Sequence, residues 1–216
     1  MKMTPASTAA MASAVCNRYD CAMTSQQDLF GAPAPVLPAG MRYETEFLTR
    51  DEEQHWIAFA QSLPLVEMDY KGYTARRRVV SFGGRYDYVA NRLAEGPPIP
   101  PALQPLRDKA AAWLGVAADA FTQALVAEYS ERTPLGWHRD VPDFEDVVGI
   151  SLLSEAVMRL RPYPPDAPTK AALLKVTVQP RSVYLLSGPA RWDWQHSVAA
   201  VKVLRYSITF RTPRQR

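Results

Sequence analysis

Histidine and cysteine are scarce in this chain, and their scarcity limits the chemistry that it can perform. The 216 residues include three histidines, His55, His138 and His196, and two cysteines, Cys16 and Cys21. Two cysteines near the start of the chain argue against both a disulfide framework and a cysteine-based zinc site. No run approaches about 18 consecutive apolar residues, so we expect no membrane-spanning helix. The net charge of +3 is too small by itself to indicate a nucleic-acid partner.

The first 40 residues are rich in Ala, Ser, Thr and Pro and contain few large apolar side chains. Such a segment buries too little apolar surface to offset the entropy of ordering, so we expect residues 1–40 to be disordered. A signal peptide is disfavoured because Ser and Thr interrupt the apolar stretch before Cys16. Translation starting at Met23 is an open alternative. We expect a cytoplasmic protein with a single domain over residues 41–216.

The sequence changes character near residue 120. Before it, Thr49 and the acidic residues that follow predict a helix that Pro64 ends, and a second helix is predicted from about 105 to 114. Between the helices, residues 70–88 alternate aromatic, basic and β-branched types, which predicts strand and loop. After it, short β-type runs favour an antiparallel sandwich or barrel. These runs are 123–129, 147–153, 157–161, 173–178, 182–186 and 204–211.

Two histidines and one carboxylate in the β-rich part form a candidate metal site. His138 and Asp140 are two residues apart, and on an extended segment such side chains share a face. Taken alone, such a His-X-Asp pair is most often a chance occurrence on the surface or a hydrogen-bonded pair without further function. His196 follows a predicted strand and supplies the third member of the facial triad typical of non-haem Fe(II) oxygenases. His55 lies on the polar side of the first predicted helix, where we expect a solvated or packed side chain.

The last predicted strand alternates strictly between polar and apolar side chains. Arg205, Ser207, Thr209 and Arg211 share one face, and three apolar side chains share the other. Two structures fit this pattern. The strand is either a sheet edge with its arginines in water, or a barrel strand whose arginines face inward. Inward guanidinium groups require an anion, and a dicarboxylate suits their forked geometry.

Together these features resemble the AlkB-like 2-oxoglutarate/Fe(II) dioxygenases. The resemblance rests on the His-X-Asp motif at 138–140, on His196, and on the Arg-X-Ser-X-Thr-X-Arg strand at 205–211. Tyr129 matches the family's tyrosine that reaches the co-substrate. Asp28-Leu-Phe-Gly31 is similar to the opening of bacterial members, and the segments 148–152 and 158–161 are similar to the strand pair after the metal motif. The resemblance covers about residues 28–213.

The resemblance implies an α+β fold with a double-stranded β-helix (jelly-roll) core over residues 121–216. It implies an N-terminal helix/strand nucleotide-recognition lid, with its supporting helices, over residues 41–120. It also implies a reaction in which Fe(II), 2-oxoglutarate and O2 oxidise an N-alkyl group of a nucleic-acid base. 2-Oxoglutarate is decarboxylated to succinate, and the hydroxylated alkyl group leaves as an aldehyde.

The resemblance also assigns roles to residues. His138, Asp140 and His196 are expected to bind Fe(II). Arg205 is expected to bind the distal carboxylate of 2-oxoglutarate, and Arg211 is expected to meet the carboxylate next to the keto group, with Tyr129 assisting. The remaining cofactor-binding positions are Ser207 and Thr209.

Three positions depart from the family's pattern. Ser207 stands where many members have Asn in the last strand, and Ala127 stands where Asn is common two residues before the tyrosine. Pro142 replaces an acidic residue that some members use for the base, although Asp143 is adjacent. The first two changes remove amides near the expected co-substrate, and the third affects base preference.

The basic residues are clustered. Residues 71–92 contain six basic residues against one acidic, and residues 181–216 contain seven against one. Arginines interleaved with aromatic residues are typical of phosphate contact combined with base stacking. Alternatively, the aromatics pack in a sheet and the arginines are solvated. The expected substrate-binding residues are Tyr73, Arg76, Arg78, Phe82, Tyr86, Tyr88, Arg139 and Asp143.

The resemblance, together with the basic clusters, therefore implies a DNA-repair dioxygenase acting on 1-methyladenine or 3-methylcytosine in DNA or RNA, and we expect it to be a monomer. A base in a duplex has to be flipped out to reach the metal, so single strands are also suitable substrates. One alternative is a 2-oxoglutarate oxygenase that acts on a protein side chain or a small molecule. A second is a non-catalytic β-barrel that binds nucleic acid and keeps a vestigial pocket.

Overall fold

The computed structural model of the protein describes residues 36–70, 73–87, 92–165 and 173–215. All described residues belong to one compact unit, Pro35–Arg216. The similarity to bacterial members at 28–31 and the predicted contact Tyr88 lie outside the described residues. Among the described residues, no helix is long and apolar enough to cross a membrane.

The described strands form two large antiparallel sheets and one small one. The seven-stranded sheet has the order β1-β11-β8-β13-β6-β3-β2, the four-stranded sheet has the order β10-β9-β12-β7, and β4 pairs with β5. The bounds are β1 Met41–Glu44, β2 Val66–Tyr70, β3 Tyr73–Phe82, β4 Arg85–Asp87, β5 Arg92–Ala94, β6 Gln123–Tyr129, β7 Leu135–His138, β8 Phe144–Leu152, β9 Ala156–Pro162, β10 Leu174–Val178, β11 Val183–Leu186, β12 Trp194–Val198 and β13 Arg205–Pro213.

In the described part of the chain, three α-helices accompany the sheets: α1 Arg50–Ser62, α2 Gln104–Leu114 and α3 Gly188–Trp192. The backbone N–H of Glu52 donates to the Thr49 side chain, and the Thr49 N–H donates to the Glu52 carboxylate, so a complete capping box starts α1. Gly115 ends α2 with a φ of 87°, a left-handed conformation that favours glycine. Both helices therefore begin or end close to where the sequence predicts.

The helices α1 and α2 cover one face of the seven-stranded sheet. Trp56 of α1 and Leu106 of α2 belong to the same buried cluster as Ile150 of β8 and Ile208 of β13. His55 is exposed on α1, as predicted. The other face of the sheet is turned toward the four-stranded sheet, because Val147 and Tyr184 share a second buried cluster with residues of β9 and β10.

The two facing sheets confirm the predicted jelly-roll core. Strand β13 lies between β8 and β6, so the alternative of an edge strand is wrong. Its arginine face points between the sheets, and its apolar face packs against the helices. Strands β1, β2 and β3, which precede residue 120, extend the same sheet. The assignment of residues 41–120 to a lid remains a prediction.

Candidate functional site

His138, Asp140 and His196 meet at one end of the cavity between the two sheets. His138 of β7 is the Cα partner of His196 of β12, and Asp140 follows β7 by two residues. One potential ligand atom from each residue lies within 4.8 Å of the others. His196 Nε2 is 3.6 Å from Asp140 Oδ2. Two imidazoles and one carboxylate in this arrangement match the donor set of a facial Fe(II) site.

Both histidines favour the neutral form that can bind a metal. Burial, and then the neighbouring His138, lowers the pKa of His196 to about 3. Burial also lowers the pKa of His138 and outweighs the opposing effect of Asp140. His138 Nδ1 is 2.9 Å from the Gly136 carbonyl oxygen. Because that carbonyl can only accept, Nδ1 carries the proton and Nε2 keeps its lone pair.

Asp140 is held by one oxygen and free at the other. Its Oδ1 accepts from Arg211 Nε at 2.9 Å and from Nη2 at 2.7 Å. Its Oδ2 is buried and has no hydrogen-bond partner. Burial alone would raise the pKa of the carboxyl, but Arg211 and then the two histidines outweigh burial and lower it. A buried, ionised oxygen without a donor is costly, so this donor set fits a bound divalent cation.

Arg191 of α3 fixes the backbone that carries Asp140. Its Nη2 donates to the carbonyl oxygens of Asp140, Val141 and Phe144 at 3.1, 2.7 and 2.9 Å. The side chain is 2% exposed. Sequence analysis missed this residue, because an arginine in a five-residue helix carries no pattern that points to a loop 50 residues away.

A chain of hydrogen bonds leads from Asp140 across the seven-stranded sheet. Arg211 Nη1 donates to Gln123 Oε1 at 2.7 Å, and Gln123 Nε2 donates to Ser81 Oγ at 2.8 Å. Ser81 Oγ in turn donates to the Gly84 carbonyl at 2.6 Å, directly before β4. Hydrogen bonds therefore connect Asp140, a candidate metal ligand, to Gly84 at the start of the small β4–β5 sheet.

The other end of the cavity is suited to an anion. Arg205 is 3% exposed, its Nε donates to Ser151 Oγ at 3.3 Å, and its buried Nη1 has no partner. Its guanidinium lies 5.0 Å from the ring of Tyr129, whose hydroxyl accepts from Arg77 Nη1 at 3.3 Å. Burial acts against ionisation of Tyr129, but Arg77 and Arg205 outweigh it and lower its pKa. A carboxylate would satisfy Arg205 Nη1.

Two of the three departures from the family's pattern lie side by side. Ala127 of β6 and Ser207 of β13 are Cα partners, and both line the cavity. The structure also adds Tyr184 of β11 to the lining, which sequence analysis missed. The Tyr184 ring lies against Gly149, where a Cβ would collide with it. Burial raises the pKa of Tyr184 to about 12, so its hydroxyl is neutral and can donate.

The predicted co-substrate residues all line this cavity. They are Tyr129, Arg205, Ser207, Thr209 and Arg211. The guanidinium of Arg211 is engaged with Asp140 and Gln123 through all three nitrogens. Its contact with a co-substrate carboxylate remains a prediction.

Alternation along β3 separates the three consecutive arginines. Arg77, absent from the expected substrate-binding set, lines the cavity. Arg76 is exposed. Arg78 donates to both oxygens of Glu128 at 2.8 Å on the helix-covered face, and Phe82 packs in the core on that face. Successive side chains of a strand point to opposite faces, so this alternation could have distinguished Arg77 from its neighbours Arg76 and Arg78.

The remaining expected substrate-binding residues lie on β3, on β4 and in the connection between β7 and β8. Arg139 Nη1 donates to the Trp192 carbonyl at 2.8 Å, and its guanidinium lies 3.8 Å from the Tyr163 ring centroid. Asp143 is in the connection between β7 and β8, and its carbonyl accepts from the Arg214 N–H. Tyr73 begins β3 and Tyr86 is the middle residue of β4.

Comparison with known proteins agrees with this geometry. The family model of the 2OG-Fe(II) oxygenase superfamily matches residues 40–211. A search of curated proteins found no match. Among solved structures, the chain is similar to OsALKBH1, with a TM-score of 0.64 and 18% identity over 82% of this chain and 99% of that chain. This likeness shows a shared fold. The chain belongs to the 2OG-Fe(II) oxygenase superfamily, which confirms the predicted Fe(II)- and 2-oxoglutarate-dependent dioxygenase.

Proposed function

We propose that this dioxygenase removes alkyl groups from N-alkylated bases of the 1-methyladenine and 3-methylcytosine type in DNA or RNA. The reaction is coupled to the decarboxylation of 2-oxoglutarate to succinate. The observation that carries the oxidative chemistry is a pair of unsatisfied buried atoms, Asp140 Oδ2 and Arg205 Nη1, in one cavity. One suits a cation and the other an anion.

The protein's own residues hold and orient the reactants. His138 and His196 offer neutral imidazoles, and Asp140 offers the free Oδ2. When bound, Fe(II) with 2-oxoglutarate and O2 supplies the oxidising power that hydroxylates the alkyl group, which then leaves as an aldehyde. Arg205, with Tyr129 beside it, holds the distal carboxylate of 2-oxoglutarate.

Charge supports an anionic co-substrate and an anionic polymer. Three guanidinium groups, those of Arg77, Arg205 and Arg211, line the cavity against the single carboxylate of Asp140. Arg76 of β3 and Arg139, which follows β7, are exposed, so phosphate groups can reach them. A duplex substrate requires base flipping, and a single strand does not.

A 2-oxoglutarate oxygenase acting on a protein side chain or small molecule is the second candidate. It is favoured by the positions of Arg78 and Phe82. Both lie on the helix-covered face of the sheet, bound to Glu128 and packed in the core respectively. Two of the expected substrate contacts are therefore engaged elsewhere.

Succinate and formaldehyde release tests the proposal. The protein is incubated with Fe(II), 2-oxoglutarate and oligonucleotides that carry 1-methyladenine or 3-methylcytosine, in single and double strands. We expect equimolar succinate and formaldehyde above the level seen with unmodified oligonucleotides. If the protein turns over none of these oligonucleotides, the proposal of a nucleic-acid substrate is contradicted. Oligonucleotide binding that ignores Fe(II) and 2-oxoglutarate, and that survives His138→Ala, would instead indicate a non-catalytic binding protein.

Location and assembly complete the proposal. We propose a monomeric enzyme of the cytoplasm that acts in the repair of alkylated nucleic acid. Both the location and the oligomeric state remain predictions.

A further inference from the structure

The outer face of the four-stranded sheet carries basic side chains around one tryptophan. We call the group Trp137, Arg159, Arg161 and Lys175 the basic face. These residues lie on β7, β9 and β10 and point away from the cavity, since their neighbours His138, Met158, Leu160 and Val176 point into it or into the second core cluster. Lys175 is exposed, and the other three are partly exposed.

The two arginines of the basic face are held in place by neutral groups. Arg161 Nε and Nη2 donate to Gln195 Oε1 at 2.9 and 2.8 Å, and its guanidinium lies 4.3 Å from the Trp137 ring centroid. Arg159 Nε donates to Ser197 Oγ at 3.0 Å, and its guanidinium lies 5.3 Å from the same ring. Stacking on an aromatic ring orients a guanidinium without neutralising its charge.

No acidic residue occurs within the four strands of this sheet. Arg159 and Arg161 have no ion pair with any described residue. Basic side chains on the opposite side of the molecule differ, because Arg78 pairs with Glu128, Lys109 with Glu52, and Arg181 with Glu46. Among the described residues, the basic face is therefore an oriented patch of positive charge without ion pairs.

The basic face lies directly behind the metal-ligand candidates. Trp137 precedes His138 on β7, and Gln195 and Ser197 flank His196 on β12. The inner face of these two strands therefore carries the candidate metal ligands, and their outer face carries Trp137 and the partners of the two arginines. Outside the strands, Arg139 and Tyr163 extend the pattern, with the guanidinium stacked 3.8 Å from the ring centroid.

We propose that the basic face binds the sugar–phosphate backbone of a nucleic-acid strand outside the catalytic cavity. This inference rests on the proposed nucleic-acid function and extends it to substrate length. Nη1 of Arg161 and both Nη atoms of Arg159 donate to no described protein group, which leaves them for phosphate oxygens. Phosphate contacts of this kind add affinity without sequence preference.

The test compares binding and turnover of the full-length protein with those of a double variant, Arg159→Gln with Arg161→Gln. Binding of a long unmodified single-stranded oligonucleotide is followed by fluorescence anisotropy at several salt concentrations. Turnover is followed with a 3-methylcytosine trinucleotide and with a long oligonucleotide carrying the same base. Arg50→Gln with Lys109→Gln, on α1 and α2, removes the same charge from the helix side. Thermal unfolding checks that every variant is folded.

Two lost phosphate contacts reduce the slope of log K against log salt by about 1.4, at about 0.7 for each contact with a single strand. The effect of raising salt from 50 to 200 mM then becomes about 7-fold smaller. We expect this change in the Gln double variant and not in the helix-side control. Arg159→Lys with Arg161→Lys keeps the charges and should retain most of the slope. Trinucleotide turnover should not change, while KM for the long substrate rises.

The possible failures are distinguishable. If the wild-type protein binds and demethylates oligonucleotides but the Gln double variant matches the helix-side control, the basic face is not a backbone site and the proposed function stands. If the double variant loses binding to polyglutamate but keeps binding to the oligonucleotide, the face binds an acidic polypeptide and the inference is overturned. If the wild-type protein neither binds nor demethylates any oligonucleotide, the proposed function fails as well.

Discussion

The two ends of the cavity differ in how their charges are satisfied. At the metal end, His138 Nδ1 lies 2.9 Å from the Gly136 carbonyl oxygen and Asp140 Oδ1 accepts from Arg211, which leaves His138 Nε2 and Asp140 Oδ2 as free ligand atoms. At the anion end, the buried Arg205 keeps an unpartnered Nη1 beside Tyr129 and Arg77. The metal end is thus oriented before a cation binds, whereas the anion end depends on its ligand to balance its charge.

This difference assigns separate tasks to arginines that share one strand. Arg211 serves the metal end by keeping Asp140 ionised and oriented, and Arg205 serves the anion end. Substitutions at the two ends should therefore affect different measurements. The metal end should control whether the enzyme works at all, and the anion end should control how much 2-oxoglutarate it needs.

The largest effect is expected from His196→Ala. Loss of one of three ligands leaves too few donors to hold the cation, so metal binding and succinate formation should both fall to background. Calorimetric titration with Mn(II) and a succinate assay check this. His55→Ala, on the exposed side of α1, is the matched control and should behave as wild type.

Arg205→Gln should weaken 2-oxoglutarate binding at the anion end without affecting metal binding. We expect KM for 2-oxoglutarate to rise about 100-fold, because charge-assisted hydrogen bonds contribute roughly 1.5–3 kcal/mol, while Mn(II) affinity stays unchanged. Arg205→Lys keeps the charge without the fork and should fall between the two. An unchanged KM, or a parallel loss of Mn(II) affinity, would contradict the division between the two ends.

The metal end should make the metal-free protein sensitive to acid. The pKa of His196 is lowered by burial to about 3, whereas the unfolded chain takes up this proton near the ordinary 6.5. Because the unfolded state binds more protons between these values, stability is full above pH 6.5 and is lost as the pH falls toward 3. Urea unfolding at a series of pH values should show this loss. His196→Gln should have a shallower dependence, and an equal slope would contradict the assignment.

The smallest effect is expected from Gln123→Ala. This change removes the acceptor of Arg211 Nη1 and the donor to Ser81, two steps from the cation. Partners of this kind typically alter metal affinity or activity by 10–100-fold, and we expect about 10-fold at the lower end. Mn(II) titration checks it, with Gln104→Ala, an exposed glutamine of α2, as the control. A change in KM for 2-oxoglutarate alone would place Gln123 at the other end of the cavity.

Short-range patterns in the sequence were sufficient to predict the central residues of the site. The i, i+2 spacing of His138 and Asp140 and the strict alternation of residues 205–211 both follow from strand geometry. The position of β13 in the middle of its sheet did not follow, since alternation fits an edge strand equally well. That position depends on pairing with β6 and β8, which lie far away in the chain.

Long-range pairing also explains what the charge counts could not predict. The register between β2 and β3 shifts at Glu67 and Met68, whose partners are Arg78 and Ala75, so Arg76 and Arg77 have no partners on β2. Of these arginines, only Arg77 reaches the cavity. In the basic C-terminal segment, Arg181 pairs with Glu46 and Glu53, more than 100 residues away. The charge of Arg181, which looks free in the sequence, is therefore compensated in the fold.

The central claim is that one cavity holds a cation at Asp140 and a dicarboxylate at Arg205. Anaerobic calorimetric titration with Fe(II), followed by 2-oxoglutarate, tests it most directly. We expect one Fe(II) and one 2-oxoglutarate per chain in the wild type. His196→Ala should bind neither tightly, and Arg205→Gln should bind Fe(II) normally but 2-oxoglutarate about 100-fold more weakly. Normal 2-oxoglutarate binding by Arg205→Gln, or normal Fe(II) binding by His196→Ala, would contradict the account.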